Sequence, residues 1–304
     1  MKKFIDGEVH HTYQRTETGF NIFYEVQDYL VYFTIFVTQA HRYNVVIYGL
    51  CLMIDHIHSL VSAQSPREFS SFIKIVTMIF VKEFNRAHGR SGPIFTERIG
   101  KAPKVGLKRL RTAIAYLFNN PVERYLCKLA QDYRWNFLAY GYSTHPYSDA
   151  IRIRYASYAM RKARSEVDGC VKRGQHLTYP QLDRIFRSLN ATERNQLTDY
   201  IISRYSAAIR YDLLAACYGN YENMLTAINS NTGSEYEIQE RMHGKSDLEY
   251  REIYRYIRAR GFRNAGEVIT LDEASKHKLM KDLSGNTSAK PFQIRKYLHI
   301  SCAT

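Results

Sequence analysis

Between Val45 and Val61 the chain reads VVIYGLCLMIDHIHSLV. This stretch limits the fold more than any other. Val45 to Leu52 is a continuous β-branched and apolar run, which suits a buried strand. Ile54-Asp55 reads as a tight turn, and His56 to Ser62 as the returning strand. Strands joined so closely pair antiparallel. Side chains two apart on a strand share a face, so His56 and His58 stand side by side while Ile57 turns into the core. Two adjacent imidazoles are half of a divalent-metal site. The same pattern also occurs as ordinary polar strand surface.

The flanking segments fill in an α+β domain. Val9 to Arg15 reads as a short polar strand, and Val26 to Thr38 carries apolar residues at helical spacing, at 29, 33, 36 and 37. Ser65-Pro66-Arg67-Glu68 opens a helix with an N-cap serine, a first-position proline and a glutamate three residues after the cap. That helix aligns Phe69, Phe72, Ile73, Val76, Phe80 and Phe84 on one face. Gly89 to Gly106 reads as a loop. A further helix is expected over 107–119, stopping before Pro121. Tyr116 and Asn120 are i and i+4 on it and share a face. A phenol and an amide so placed can supply a nucleophile and an oxygen ligand, or be a core-edge tyrosine and an Asn-Pro helix stop. The aromatic segment 133–148 closes the domain.

Beyond residue 150 strand signals fade. The expected division is a domain over 1–149, a basic helical connector over 150–175 and an all-helical domain over 176–304. Asn190-Ala191-Thr192-Glu193 is a capping-box pattern, and Asp247 to Arg260 reads as a helix stopped by Gly261. Helices over 272–283 and 288–298, with a turn around Gly285-Asn286, have helix-turn-helix spacing. Thr287 or Ser288 would cap the last helix and Phe292 and Leu298 would be buried. Lys290, Gln293, Arg295 and Lys296 would face a DNA groove or phosphates. A generic helical bundle fits the same pattern.

Charge narrows the partners. Lys and Arg number 43 against 29 acids, a formal net charge of +14, which points to a polyanion. Nucleic acid comes first and an anionic membrane second, and Val45 to Ile54, the most apolar run, is too short to span a bilayer. No membrane partner is therefore expected. The opening MKKFIDGEVHH lacks the 7–15-residue apolar stretch of a signal peptide. The five cysteines, Cys51, Cys127, Cys170, Cys217 and Cys302, show neither a disulfide framework nor a zinc spacing, so a reducing cytoplasm fits best. The 25 tyrosines read as stacking platforms for bases or as amphipathic core-edge residues. Neither the HExxH pattern nor a deaminase signature is present.

Taken together, the N-terminal 150 residues resemble the single-tyrosine HUH (histidine-hydrophobic-histidine) transposases, in their REP-associated branch. The segments that carry the likeness occur in order: His10-His11-Thr12-Tyr13-Gln14-Arg15, then Ile22-Phe23 and Asp28-Tyr29, then Tyr48 to Val61, then Tyr116-Leu117-Phe118-Asn119-Asn120-Pro121-Val122. The resemblance implies a ferredoxin-like antiparallel sheet with packed helices. It implies Tyr116 as nucleophile, and His56, His58 and Asn120 as ligands of Mg²⁺ or Mn²⁺. It implies cleavage of single-stranded DNA bearing hairpins through a 5′-phosphotyrosine, in the nucleoid. Ile54-Asp55 stands where the family has Pro-Asn, and Asp55 adds a carboxylate that tunes the site or caps the turn. Arg98, Lys101, Lys104, Lys108, Arg109 and Arg111, a basic run ahead of the tyrosine helix, are the phosphate-contact candidates, or else a solvated face. No phosphate-cradling GxxxxGK[ST] loop is present, in keeping with strand exchange that conserves bond energy. A DNA-binding regulator that kept the scaffold without the chemistry, and an RNA-binding protein, are the alternatives. Relatives outside this branch exchange the tyrosine helix as homodimers, and a homodimer is left open here.

Overall fold

A computed structural model describes residues 4–17, 19–96, 99–230 and 246–300. The first half is built as strand β1 (His10–Arg15), helix α1 (Val26–Arg42), strands β2 (Val46–Leu52) and β3 (His56–Ser62), helix α2 (Pro66–Ala87), strand β4 (Gly100–Pro103) and helix α3 (Leu107–Glu123). The strands form one sheet in the order β2-β3-β1-β4, and each neighbouring pair is antiparallel. This is the ferredoxin-like α+β arrangement that the family resemblance implies. The expected starts hold locally. Ser65 accepts from the Glu68 amide at 3.2 Å to open α2, and Ile54-Asp55 is the reversal between β2 and β3.

Strand alternation divides the sheet into two unlike faces. On one, Ile47, Leu50, Leu52, Ile57 and Val61 meet the aromatic stripes of α1 and α2, among them Phe33, Phe36, Phe72 and Phe80. On the other, His11, Tyr13, His56 and His58 lie beneath α3. Gly49 on β2 lets α3 come down: a methyl group there would stand 3.3 Å from the Phe118 ring and 3.4 Å from Leu117.

The second half is helical: α4 (Tyr158–Lys172), α5 (Tyr179–Arg187), α6 (Ala191–Ser206), α7 (Tyr211–Ala216), α8 (Tyr221–Ser230), α9 (Glu249–Ala259), α10 (Ala265–Ile269), α11 (Glu273–Asn286) and α12 (Pro291–Leu298). It wraps the first half. Met160, Val167, Leu182 and Ile201 join the core under α1 and α2, and Met224, Ile253, Leu283 and Leu298 join the core around α3. The outer edge of β2 is covered as well, by a parallel bridge of Ile47 to Ile209 and an amide bond from Arg210 to the Ile47 carbonyl at 2.9 Å.

Three boundaries differ from expectation. Within the Gly89–Gly106 loop, Gly100–Pro103 pairs with β1 as an edge strand. Helix α3 runs through Pro121 to Glu123. Proline removes one helical bond, and the turn still closes through the Arg124 and Leu126 amides on the Asn120 and Pro121 carbonyls, at 3.2 and 2.9 Å. Gly285-Asn286 is the end of α11 and not a turn. The cap of α12 is Lys290, whose amide donates to the Gln293 side chain at 2.9 Å, in place of Thr287 or Ser288.

Candidate active site

The site forms where β3, β1 and α3 face one another. Register places Tyr13 opposite His58 and Arg15 opposite His56. His11 and His58 stack with ring centroids 5.2 Å apart and planes 10° apart, and Nε2 of His11 is 3.1 Å from Nδ1 of His58. The His56 ring meets His58 edge-on at 4.9 Å, and its Nδ1 donates to Oδ1 of Asp55 at 2.6 Å. Tyr116 stands over the pair from α3, its ring edge-on at 5.4 Å to His58 and 5.5 Å to His11. One helical turn on, Asn120 donates through Nδ2 to the Tyr116 carbonyl at 2.8 Å. That bond fixes the amide and assigns Oδ1 as the atom with ligand character. Tyr13 packs on His58 at 4.8 Å and holds the Arg15 guanidinium 4.7 Å over its ring.

Of the four residues expected from the sequence, His56, His58 and Tyr116 come together, and Asn120 lies one helical turn from Tyr116. Burial drives the His58 imidazole well below its ordinary pKa, helped by the neighbouring His56 and His11. Burial, with the Lys104 charge, lowers His11 to about 3. Both rings are thus neutral at pH 7, the form that binds a metal. Nε2 of His58 is buried with no hydrogen-bond partner. In the tautomer in which His58 donates Nδ1–H to His11 and His56 donates Nδ1–H to Asp55, both Nε2 atoms keep a lone pair. Two such nitrogens and an amide oxygen suit Mg²⁺ or Mn²⁺. Among the described residues no group of three or more His, Cys, Asp or Glu side chains is placed to hold a metal ion.

The second half of the chain closes over the site. Residue exposure is 1% at Tyr116, 0% at His58, 4% at His56 and 3% at Asn120. Lys296 of α12 donates to Oδ2 of Asp55 at 2.6 Å. Burial works to raise the Asp55 pKa, and the bonds and charges of His56 and Lys296 overcome it and hold the carboxylate ionised. Beside them, Asp247 ahead of α9 is raised to about 6, by burial first and then by the Asp55 charge. Its amide donates to the Arg124 carbonyl at 3.2 Å. Tyr24 reaches the Tyr297 carbonyl at 3.0 Å, so α12 is also tied to the segment before α1.

The basic candidates divide. Lys108 and Arg109 are exposed on the first turn of α3. Lys101 lies over Phe4 and Phe69 at 5.7 and 5.5 Å, and Lys104 is half-buried. Arg98 lies outside the described residues. Arg111 is exposed and donates to the Cys217 carbonyl at 2.6 Å while lying over Tyr218, bracing α3 against the turn between α7 and α8. Two of the C-terminal candidates are corrected. Gln293 is buried and donates to the Ser246 carbonyl at 2.8 Å, and Lys296 is spent on Asp55. Both polar side chains turn inward because polar partners wait there. Lys290 remains exposed, while Phe292 and Arg295 are half-buried and Leu298 is buried. Sequence reading gave no role to His11, Tyr13 or the Asp55–Lys296 pair. Alternation along β1 carries the signal for the first two: with β1 beside β3, residues 11, 13 and 15 must share the histidine face.

The site is thus a ferredoxin-like sheet that presents paired imidazoles to a helix-borne tyrosine. Residues 11–98 match the family model described as "Transposase IS200 like", so the resemblance read from the sequence is borne out over that segment. The match spans His56 and His58 and ends before Tyr116 and Asn120. A solved structure of a REP-associated tyrosine transposase bound to a REP hairpin is similar at 18% identity and a TM-score of 0.38, covering 44% of this chain and 79% of that one. No curated protein matches the chain. Among the described residues no helix is long and apolar enough to cross a membrane.

Proposed function

We propose that the protein is a metal-dependent single-strand DNA endonuclease and strand transferase, a transposase that acts on hairpin-bearing DNA through a 5′-phosphotyrosine. The observation that carries this is the approach of Tyr116 to His58 and His11, with His56 edge-on to His58. The family match over residues 11–98 supports the transposase class.

The residues divide the work. Tyr116 supplies the attacking oxygen: a bond forms between it and phosphorus, the bond from phosphorus to the 3′-oxygen breaks, and that oxygen takes up a proton as the phenol loses one. A free phenol, with a pKa of about 10, is a poor nucleophile at neutral pH. A divalent cation on His56, His58 and Asn120 would neutralise charge on the phosphate. Asp55 and His11 hold the two imidazoles by their Nδ1 atoms, which fixes ring orientation and tautomer. Asn120 is oriented by the backbone of the tyrosine itself, so nucleophile and ligand move together with α3. Because the link conserves the phosphodiester energy, a second 3′-hydroxyl can reverse the step without ATP. A strand can reach Tyr116 only after α12 and the chain ahead of α9 move off Asp55 and Arg124.

The test is a denaturing gel of the full chain incubated with labelled hairpin-bearing single strands and Mn²⁺. The reading expects a covalent adduct that is lost in Tyr116→Phe and on chelation, with DNA binding retained in the variant. Binding that survives chelators, with no nicked product from the wild type on any flanking hairpin, would identify the regulator alternative instead.

A further inference from the structure

The turn leading into α4 leaves its aromatic rings in water. Tyr155 and Tyr158 are 77% and 75% exposed. No hydrogen bond among the described residues uses either hydroxyl. Arg152, Arg154, Arg161 and Lys162 surround them and are all exposed, and no acid occurs from 150 to 165. The buried side of α4, through Met160, Ala163, Val167 and Cys170, is already committed to the core, so the helix cannot offer an apolar face to lipid. Beside Tyr155 an open groove of about 500 Å³ lies between Asp149, Arg152, Met160, Glu193 and Gln196.

From this juxtaposition we infer that residues 152–162 form a second DNA-contact surface, which holds single-stranded DNA by stacking bases on Tyr155 and Tyr158 and pairing phosphates with the four cations. Planar faces interleaved with positive charge are what an unpaired strand supplies partners for, and duplex DNA, whose bases are already stacked, does not. Charge complementarity selects a polyanion, and the rings select one with exposed bases. The choice of DNA over RNA rests on the function proposed above. The surface is separate from the catalytic centre: it contains none of Tyr116, His56, His58 or Asn120, and it is open to solvent while they are covered. A strand held here stays attached while the cover over Tyr116 opens and closes.

Fluorescence anisotropy with labelled oligothymidylate and the full-length protein tests this. Tyr155→Ala with Tyr158→Ala is expected to weaken binding roughly tenfold or more. Arg152→Gln with Arg154→Gln is expected to lower the slope of log affinity against log salt by about 1.4, for two phosphates released. Unchanged melting curves would show that both variants fold. Wild-type affinity in both variants overturns the inference, as does an RNA of equal length or a duplex that binds as tightly and loses as much. Adduct formation at saturating DNA is read in parallel in the same variants. Tyr116 chemistry without a binding defect sinks this surface alone. A binding defect in a protein that never forms an adduct leaves the surface standing and sinks the catalytic reading.

Discussion

The two faces of one four-stranded sheet are built from alternate residues of the same strands, yet they do opposite things. Toward α1 and α2, β3 presents Ile57 and Val61 to phenylalanines, and the buried Ser59 between them is satisfied by the Thr12 hydroxyl. Toward α3, β3 presents His56 and His58 to a tyrosine and a third histidine, all buried. Burial stabilises the first face, at about 25 cal/mol per Å² of apolar surface. On the second, burial opposes charge and keeps the His11 and His58 imidazoles neutral, and each polar group must be held by another. The lesson is that stability and chemistry are assigned here by strand parity: one residue of register slip would exchange them.

Substitutions on the two faces should therefore part company. Phe72→Ala, which empties a fully buried site on the apolar face, is expected to cost about 3–5 kcal/mol by denaturant unfolding. If it costs no more than the site-face variants, the faces are not distinct. His58→Ala should instead abolish Mn²⁺ binding by isothermal calorimetry with a smaller loss of stability. Retained binding would remove the histidine pair from the account. Asp55→Asn should sharpen the same contrast, lowering Mn²⁺ affinity about 10–100-fold through loss of imidazole orientation. The variant also weakens the seat of α12, so protease accessibility of the C-terminal helices should rise, and Lys296→Ala should reproduce that rise while leaving metal affinity near wild type.

The smallest effect lies beyond the apolar face, where His88 pairs with Asp28 at 2.9 Å. Burial works to lower the His88 pKa, but the Asp28 charge and hydrogen bond win and raise it above the ordinary 6.5. A group whose pKa is raised on folding contributes stability below its unfolded value and loses it as pH rises through the folded one. Thermal melts should thus decline modestly as pH rises above about 6.5, and His88→Asn should flatten the decline. A steeper decline in the variant would mean another group titrates.

Local patterns made most of the first half legible. The β2–β3 reversal follows from an unbroken apolar run ahead of Ile54-Asp55, and the start of α2 follows from Ser65 and Glu68. Strand β4 left no trace because four residues between glycine and proline pair on one side only. Helix α3 passes Pro121 because the proline falls in its last turn, where one lost bond is cheap. Nor could composition reveal which way α12 faces. Gln293 and Lys296 look solvent-bound until Ser246 and Asp55, 47 and 241 residues away in sequence, are seen to receive them. The pairing of His56 with His58 was readable from strand parity alone. The burial of both beneath distant helices was not, since nothing in a seventeen-residue segment encodes what a helix near residue 296 will cover.

The central claim is that the phenol of residue 116 becomes bonded to DNA phosphorus. Peptide mapping by mass spectrometry after incubation with Mn²⁺ and a hairpin-bearing single strand tests it directly. The account predicts a nucleotide-bearing peptide with the modification on Tyr116. A modification on any other residue, from protein that cleaves the strand, would contradict it.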